Sequence, residues 1–161
     1  MDVEARLAAL EARITELQDT LDVLKVVASY GPTVDSGASV EAGQLWTEDC
    51  TYDSDNAPEP LRGRTTIEEL SARVGAMPIG VAHFTQFPVV TVDGDRAVAV
   101  AQSNTWHQED GKYVVGRVSS NRFELERVGG RWQINHRVNR ILDGSDPGRD
   151  VFRQGMKESM T

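Results

Sequence analysis

The chain has 161 residues, the size of one ordinary domain, and its 39% hydrophobic content without any long apolar run excludes both disorder and a membrane-spanning helix. Seventeen Lys and Arg against 25 Asp and Glu leave a net charge of −8, which repels polyphosphate and anionic lipid, so neither nucleic acid nor a membrane is an expected partner. A lone Cys50 excludes an intramolecular disulfide and a Cys-based zinc site, and the N-terminus is charged from its second residue, so the expected location is the cytoplasm.

In chain order, Val3, Leu7, Leu10, Ile14, Leu17, Leu21, Leu24 and Ala28 recur at alternating spacings of four and three without Pro or Gly. This predicts a long helix with a continuous apolar seam. Heptad spacing fits a coiled coil with another subunit, but a helix lying across a sheet shows much the same stripe, and sheet packing is the favoured reading. Gly31-Pro32 is expected to end the helix. A short helix around 40–46 and a short strand at Cys50–Asp53 follow, then a loop over 54–63 with two prolines. Thr65-Thr66-Ile67-Glu68 fits a capping box that opens a helix running to about Val74.

From His83 the pattern changes to period two. Asp93-Gly94, Asp110-Gly111 and Gly129-Gly130 separate β-rich runs at 83–92, 96–108, 112–127 and 131–142, which read as sequential hairpins. Helices followed by an antiparallel sheet give an α+β class with the helices on one face. The expected domain spans residues 1–142. Residues 143–161 form a tail, loop-like and then weakly helical, placed either as a cover for a pocket or as a fraying end.

Phosphate-binding glycine loops, Gly-x-Ser-x-Gly elbows and His-Glu-x-x-His helices are missing from the sequence, so attention falls on scattered residues. A metal site would need His83, His107 and His136 to converge, and no metal or other cofactor is expected. His83 opens a strand where a side chain can face a helix-covered cavity, although a strand histidine is often structural. On sequence alone Asp35 is favoured as a turn or cap residue, and Tyr30 reads as a half-buried packing aromatic.

The order of Tyr30 and Asp35 after a long helix, Leu45-Trp46-Thr47-Glu48-Asp49-Cys50-Thr51-Tyr52, Gly63-Arg64, His83-Phe84-Thr85, Asp93-Gly94-Asp95-Arg96-Ala97 and Gly130-Arg131-Trp132 before Arg137 resembles one known group. It is the SnoaL-like branch of the nuclear transport factor 2-like superfamily, in particular the scytalone dehydratase, bile acid 7α-dehydratase and hexachlorocyclohexane dehydrochlorinase group. The resemblance covers roughly residues 5–142.

That resemblance implies a cone-shaped α+β fold around one deep apolar pocket, with His83 as a proton-abstracting base and Asp35 orienting its ring. A carboxylate in that place fixes the tautomer and stabilises the imidazolium that forms. Tyr30 matches a catalytic tyrosine of the bile acid enzyme, and Tyr52 resembles a pocket tyrosine of scytalone dehydratase. Ser119 and Asn121, which share a strand face with Phe123, resemble a water-holding pair, and Arg137 is placed like a pocket arginine of the dehydrochlorinase. Trp46 is expected to contact substrate. Val34, where scytalone dehydratase has a tyrosine, departs from the pattern. In the last strand Gln133, Asn135, Arg137 and Asn139 have parity opposite to Trp132, Ile134 and Val138, and the face turned to the cavity stays open.

The implied function is a cofactor-independent, dehydratase-like lyase acting on a small apolar cyclic molecule, steroid-like or polyketide-like. The alternatives are a SnoaL-type cyclase or isomerase using the same base, and a non-catalytic ligand-binding or association module. A homo-oligomer is expected because a curved sheet leaves an outer face to cover, with a trimer favoured over a dimer.

Overall fold

The computed structural model describes residues 2–159. Its elements are α1 (Val3–Asp35), α2 (Ser39–Gln44), β1 (Trp46–Ser54), β2 (Leu61–Arg62), α3 (Arg64–Gly75), β3 (Val81–Thr85), β4 (Val89–Asp93), β5 (Arg96–Glu109), β6 (Lys112–Val128), β7 (Arg131–Ile141) and α4 (Asp146–Ser159). The sheet order is β2-β1-β7-β6-β5-β3, with β4 also paired to β5. All pairs are antiparallel except β1 with β7. The first expected β run is split at Gln86-Phe87-Pro88 into β3 and β4, since proline cannot donate to a ladder. No helix among the described residues is long and apolar enough to cross a membrane.

The core lies between α1 and the inner face of the sheet. Small Ala97 and Ala99 on β5 leave room for the helix, while Phe123, Leu125, Trp46 and Ile134 fill around it. Facing them from α1 are Val23, Val27, Tyr30 and Val34. This stripe is not the heptad seam. Val23 and Val27 lie one residue before Leu24 and Ala28, which is about 100° round the helix. Val3, Leu7, Leu10, Ile14, Leu17 and Leu21 are each more than half exposed, so the expectation that the seam packs on the sheet is corrected.

Two local expectations also change. Pro32 lies inside α1, which continues to Asp35. Loss of its N–H costs little because Pro32 and Ala28, whose carbonyl it would have met, lie on the exposed side of the helix, and Thr33 Oγ1 donates to the Ser29 and Tyr30 carbonyls at 2.9 and 3.0 Å. The capping box does not form: α3 begins earlier, behind Gly63 at φ 82°, without a side-chain cap. There Thr66 Oγ1 donates to the Arg62 carbonyl at 2.8 Å instead.

The tail forms α4, and no described residue of it lines the cavity that holds His83. It packs on the outer face, where Val151 is buried and a Cβ added at Gly155 would collide with Val100. Arg122 Nε donates to Glu158 Oε2 at 2.9 Å across the same contact. Beyond α4 the outer face is hollowed beside Phe84, Trp106 and Tyr113.

Strand β7 answers the parity question with a bulge. Leu125 pairs with Ile134 and Glu124 with His136, so Asn135 is the extra residue. Trp132 and Ile134 face inward before it, and Arg137 and Asn139 face inward after it.

Asp19 fastens α1 to the far end of the sheet. It accepts from Arg127 Nη1 at 2.8 Å and Trp132 Nε1 at 3.3 Å. The Arg127 hydrogen bond, outweighing burial, holds the Asp19 carboxyl below the usual carboxylate range. A carboxyl that titrates lower when folded contributes stability above the ordinary value near pH ~4, and this is lost as pH falls through the lowered value. Asp19→Asn is therefore expected to be less stable than the parent at neutral pH, with the difference closing in acid. Urea midpoints measured at about pH 7 and about pH 3 check it.

Candidate active site

The extra turn of α1 past Pro32 brings Asp35 to β3. Its Oδ2 accepts the backbone N–H of His83 at 2.7 Å, and its Oδ1 pairs with His83 Nδ1. Both side chains are about one-fifth exposed. An ionised carboxylate only accepts, so Nδ1 carries the ring hydrogen and the lone pair is left on Nε2, which has no protein partner among the described residues.

His83 lines a cavity together with Tyr30, Tyr52, Ser119, Arg137 and Asn139. Arg137 is 4% exposed and its guanidinium lies 4.3 Å from the centroid of the Tyr30 ring, 4.8 Å from Tyr52 and 4.9 Å from Phe123. Its Nε and Nη2 donate to Asn121 Oδ1 at 3.1 and 2.7 Å. Asn139 Nδ2 donates to the same oxygen at 2.8 Å, and Asn121 Nδ2 is in turn tied to Ser103 Oγ at 2.8 Å. No carboxylate among the described residues pairs with Arg137, and its Nη1 is buried without a partner. A buried donor left open in this way is costly unless a ligand oxygen meets it.

Burial pushes the Tyr30 phenol up to about 12 against the opposing effect of Arg137, so Tyr30 is a donor at neutral pH and not a base. Burial likewise raises the Cys50 thiol to about 11, away from the thiolate a nucleophile needs.

The cavity differs from the expected apolar pocket. Every residue lining it carries a side-chain oxygen or nitrogen, and its volume is about 60 Å³, roughly two waters. The strand faces explain this, because the inward positions at this end of β5, β6 and β7 are Ser, Thr, Arg and Asn.

Of the expected site residues, Tyr30, Tyr52, His83, Ser119 and Arg137 meet at this cavity, with Asp35 directly behind His83. Trp46, Asn121 and Phe123 do not line it. Trp46 is fully buried, 6.3 Å from Tyr30 and 5.9 Å from Tyr52 between ring centroids, so it supports the two phenols rather than meeting a ligand. Asn121 and Phe123 lie beneath Arg137 and hold it.

Arg117 and Asn139 were not among the expected residues. Arg117 Nε donates to Ser119 Oγ at 2.7 Å and Nη1 to Asn56 Oδ1 at 2.8 Å, and Nη2 pairs with Asp55, latching β6 to the loop after β1. Its period-two relation to Ser119 and Asn121 was the available signal. His107 and His136 are remote: His107 bonds Glu109 at 2.8 Å and His136 bonds Glu124 at 3.4 Å. Among the described residues no three His, Cys, Asp or Glu side chains group to hold a metal ion.

Comparison with known proteins adds the family. The SnoaL-like domain matches residues 15–138. An NTF2-like protein with a cystatin-like fold from Novosphingobium aromaticivorans is similar at a TM-score of 0.84 and 33% identity, over 90% of this chain and 96% of that one. Two further structures from the same organism share the fold at lower identity. One, provisionally named a scytalone dehydratase, has a TM-score of 0.69 and 19% identity over 80% of this chain and 87% of its own. The other, provisionally named an aromatic ring hydroxylase, has a TM-score of 0.68 and 24% identity over 78% and 90%. No curated protein matches the chain.

The pair of α1 and β3 is held close by Gly31. A Cβ built there falls within the van der Waals shell of the His83 carbonyl oxygen. Helix propensity alone predicts that Gly31→Ala stabilises by about 1 kcal/mol. The contact predicts the opposite, a loss of about 1–3 kcal/mol as β3 is pushed away. The sign of the change in urea unfolding distinguishes the two, and a loss is expected.

Proposed function

This chain belongs to the SnoaL-like domain family, and from that premise and the geometry of the cavity we propose that it is a dehydratase-like lyase in which His83 is the base. The carrying observation is the two-point grip of Asp35, which occupies the backbone N–H and Nδ1 of His83 together and leaves Nε2 for the cavity.

In the proposed reaction, Nε2 takes the proton from a carbon next to a carbonyl. The C–H electron pair becomes the new C=C bond as the bond to a β-hydroxyl breaks. The imidazolium passes its proton to that departing hydroxyl, so the products are the unsaturated carbonyl compound and water. Asp35 opposes the positive charge that His83 gains on the way. The carbonyl oxygen, which gains charge as the carbon loses its proton, is met by Arg137 Nη1 and the Tyr30 hydroxyl. Tyr52 completes the wall on the other side of Arg137.

The polar lining narrows the substrate: side-chain oxygens and nitrogens on every wall suit a small hydroxylated carbonyl compound, entering from the open side, better than an apolar steroid-like molecule. Cyclisation or isomerisation would use the same base on a different carbonyl substrate, and release of water separates elimination from both.

Two variants test the base. His83→Ala is expected to lower turnover, and also the exchange of the substrate's α-proton in heavy water, by about 10²–10⁴. In Asp35→Asn the amide oxygen stays on the His83 backbone N–H, so the amide nitrogen faces Nδ1 and drives the ring hydrogen to Nε2. The lone pair is then on the wrong nitrogen, and a similar loss is expected without unfolding. Substrates come from a panel of small β-hydroxy carbonyl compounds screened for a raised Tm, followed by the exchange assay. Full activity in both variants would overturn the assignment.

A further inference from the structure

From the exposed face of α1 we infer that the chain pairs with a second copy of itself through a parallel, two-stranded coiled coil over residues 3–24. This does not depend on the catalytic reading. Val3, Leu7, Leu10, Ile14, Leu17 and Leu21 are 54–68% exposed, and they lie on a different face of the helix from the residues that the sheet covers. The match to the family model begins at residue 15, so just over half of this stretch precedes the matched domain.

The seam fits a second copy better than an unrelated partner because a heptad is self-complementary. Leu7, Ile14 and Leu21 fall at a, and Val3, Leu10, Leu17 and Leu24 at d. Leucine at Leu10, Leu17 and Leu24 of d, with β-branched Ile14 at the central a position, suits two strands. The flanks set the direction. Arg6 and Arg13 take g positions, and Glu4, Glu11 and Gln18 take e positions. In a parallel pair each g residue meets the next e residue of its partner, so Arg6 meets Glu11 and Arg13 meets the neutral Gln18. An antiparallel pair centred on the exposed stretch sets Glu11 against Glu11 and Arg13 against Arg13. The helix is also preformed, because its C-terminal half is nailed to the sheet, so pairing does not bear the nucleation cost an isolated peptide would meet.

The test uses the full chain. Sedimentation equilibrium at tens of micromolar is expected to give twice the 17.7 kDa chain mass. Leu10→Glu/Leu17→Glu is expected to give the monomer with unchanged near-UV circular dichroism, since both positions are outside the core. Leu7→Cys is expected to form an interchain disulfide on mild oxidation, whereas Ala12→Cys, on the opposite side of the helix, is not; buried Cys50 stays out of the reaction. Arg6→Glu is expected to weaken association by about tenfold, and Arg6→Glu/Glu11→Arg to restore it. A monomeric parent, a trimer, a mass unchanged by the double glutamate variant, or a Leu7→Cys chain that fails to cross-link as a dimer would each overturn the inference.

Discussion

Asp35 holds His83 through two atoms, the ring Nδ1 and the backbone N–H, and much of the fold is arranged so that this contact exists. The helix must run one turn past a proline to reach β3, and it must approach β3 closely enough that position 31 has no side chain. A carboxylate bound at the ring alone leaves the histidine free to swing with its strand. Bound to the main chain as well, it fixes the ring relative to the sheet, and the sheet carries every other cavity residue except Tyr30 and Asn56. Tyr30 itself lies on α1, so helix and sheet are brought into register by the same contact that orients His83.

The second constraint is a buried cation without a buried anion. A guanidinium removed from water loses several kcal/mol of hydration. Here three aromatic faces and one amide oxygen replace part of that shell, and none of them neutralises the charge. A carboxylate partner would have stabilised Arg137 but also quenched it toward a ligand. Asn121 accepts from two of the guanidinium nitrogens, and the third is buried without a hydrogen-bond partner among the described residues, so the charge stays uncompensated in the way the proposed reaction would use.

What could be read from the sequence follows how local each cause is. Period-two runs separated by Asp-Gly and Gly-Gly marked the long strands, and the order of motifs resembled a family with a helix-covered sheet. The pairing of residues 35 and 83 entered through that resemblance, since no local pattern links them. Other features depended on contacts that the chain alone does not reveal. The helix passed Pro32 because its far side is solvent, and the parity of β7 switched because one residue, Asn135, has no partner opposite. Thr65 and Glu68 were spaced for a cap, but Gly63 started the helix earlier, and the Glu68 side chain packs over Gly43 instead. The polar cavity was legible in part, since Arg117, Ser119 and Asn121 share a face. The sequence could not say that no apolar side chain would join them.

Two apolar stripes on one helix keep the inferred assembly surface apart from the cavity. Val23, Val27, Tyr30 and Val34 face the sheet, while the leucine seam faces away from it. The seam ends near Leu24, eleven residues or roughly 16 Å before Asp35, and it precedes nearly all of the sheet-facing stripe. Asp19 lies where one role gives way to the other: it is the first buried residue of α1, and its partners Arg127 and Trp132 belong to the hairpin at the end of the sheet remote from His83. A load on the N-terminal half of the helix therefore meets this anchor before it reaches Asp35 and His83. The inferred pairing of two copies would therefore fix where the domains stand without reshaping the cavity, and the seam residues could change independently of those that line it.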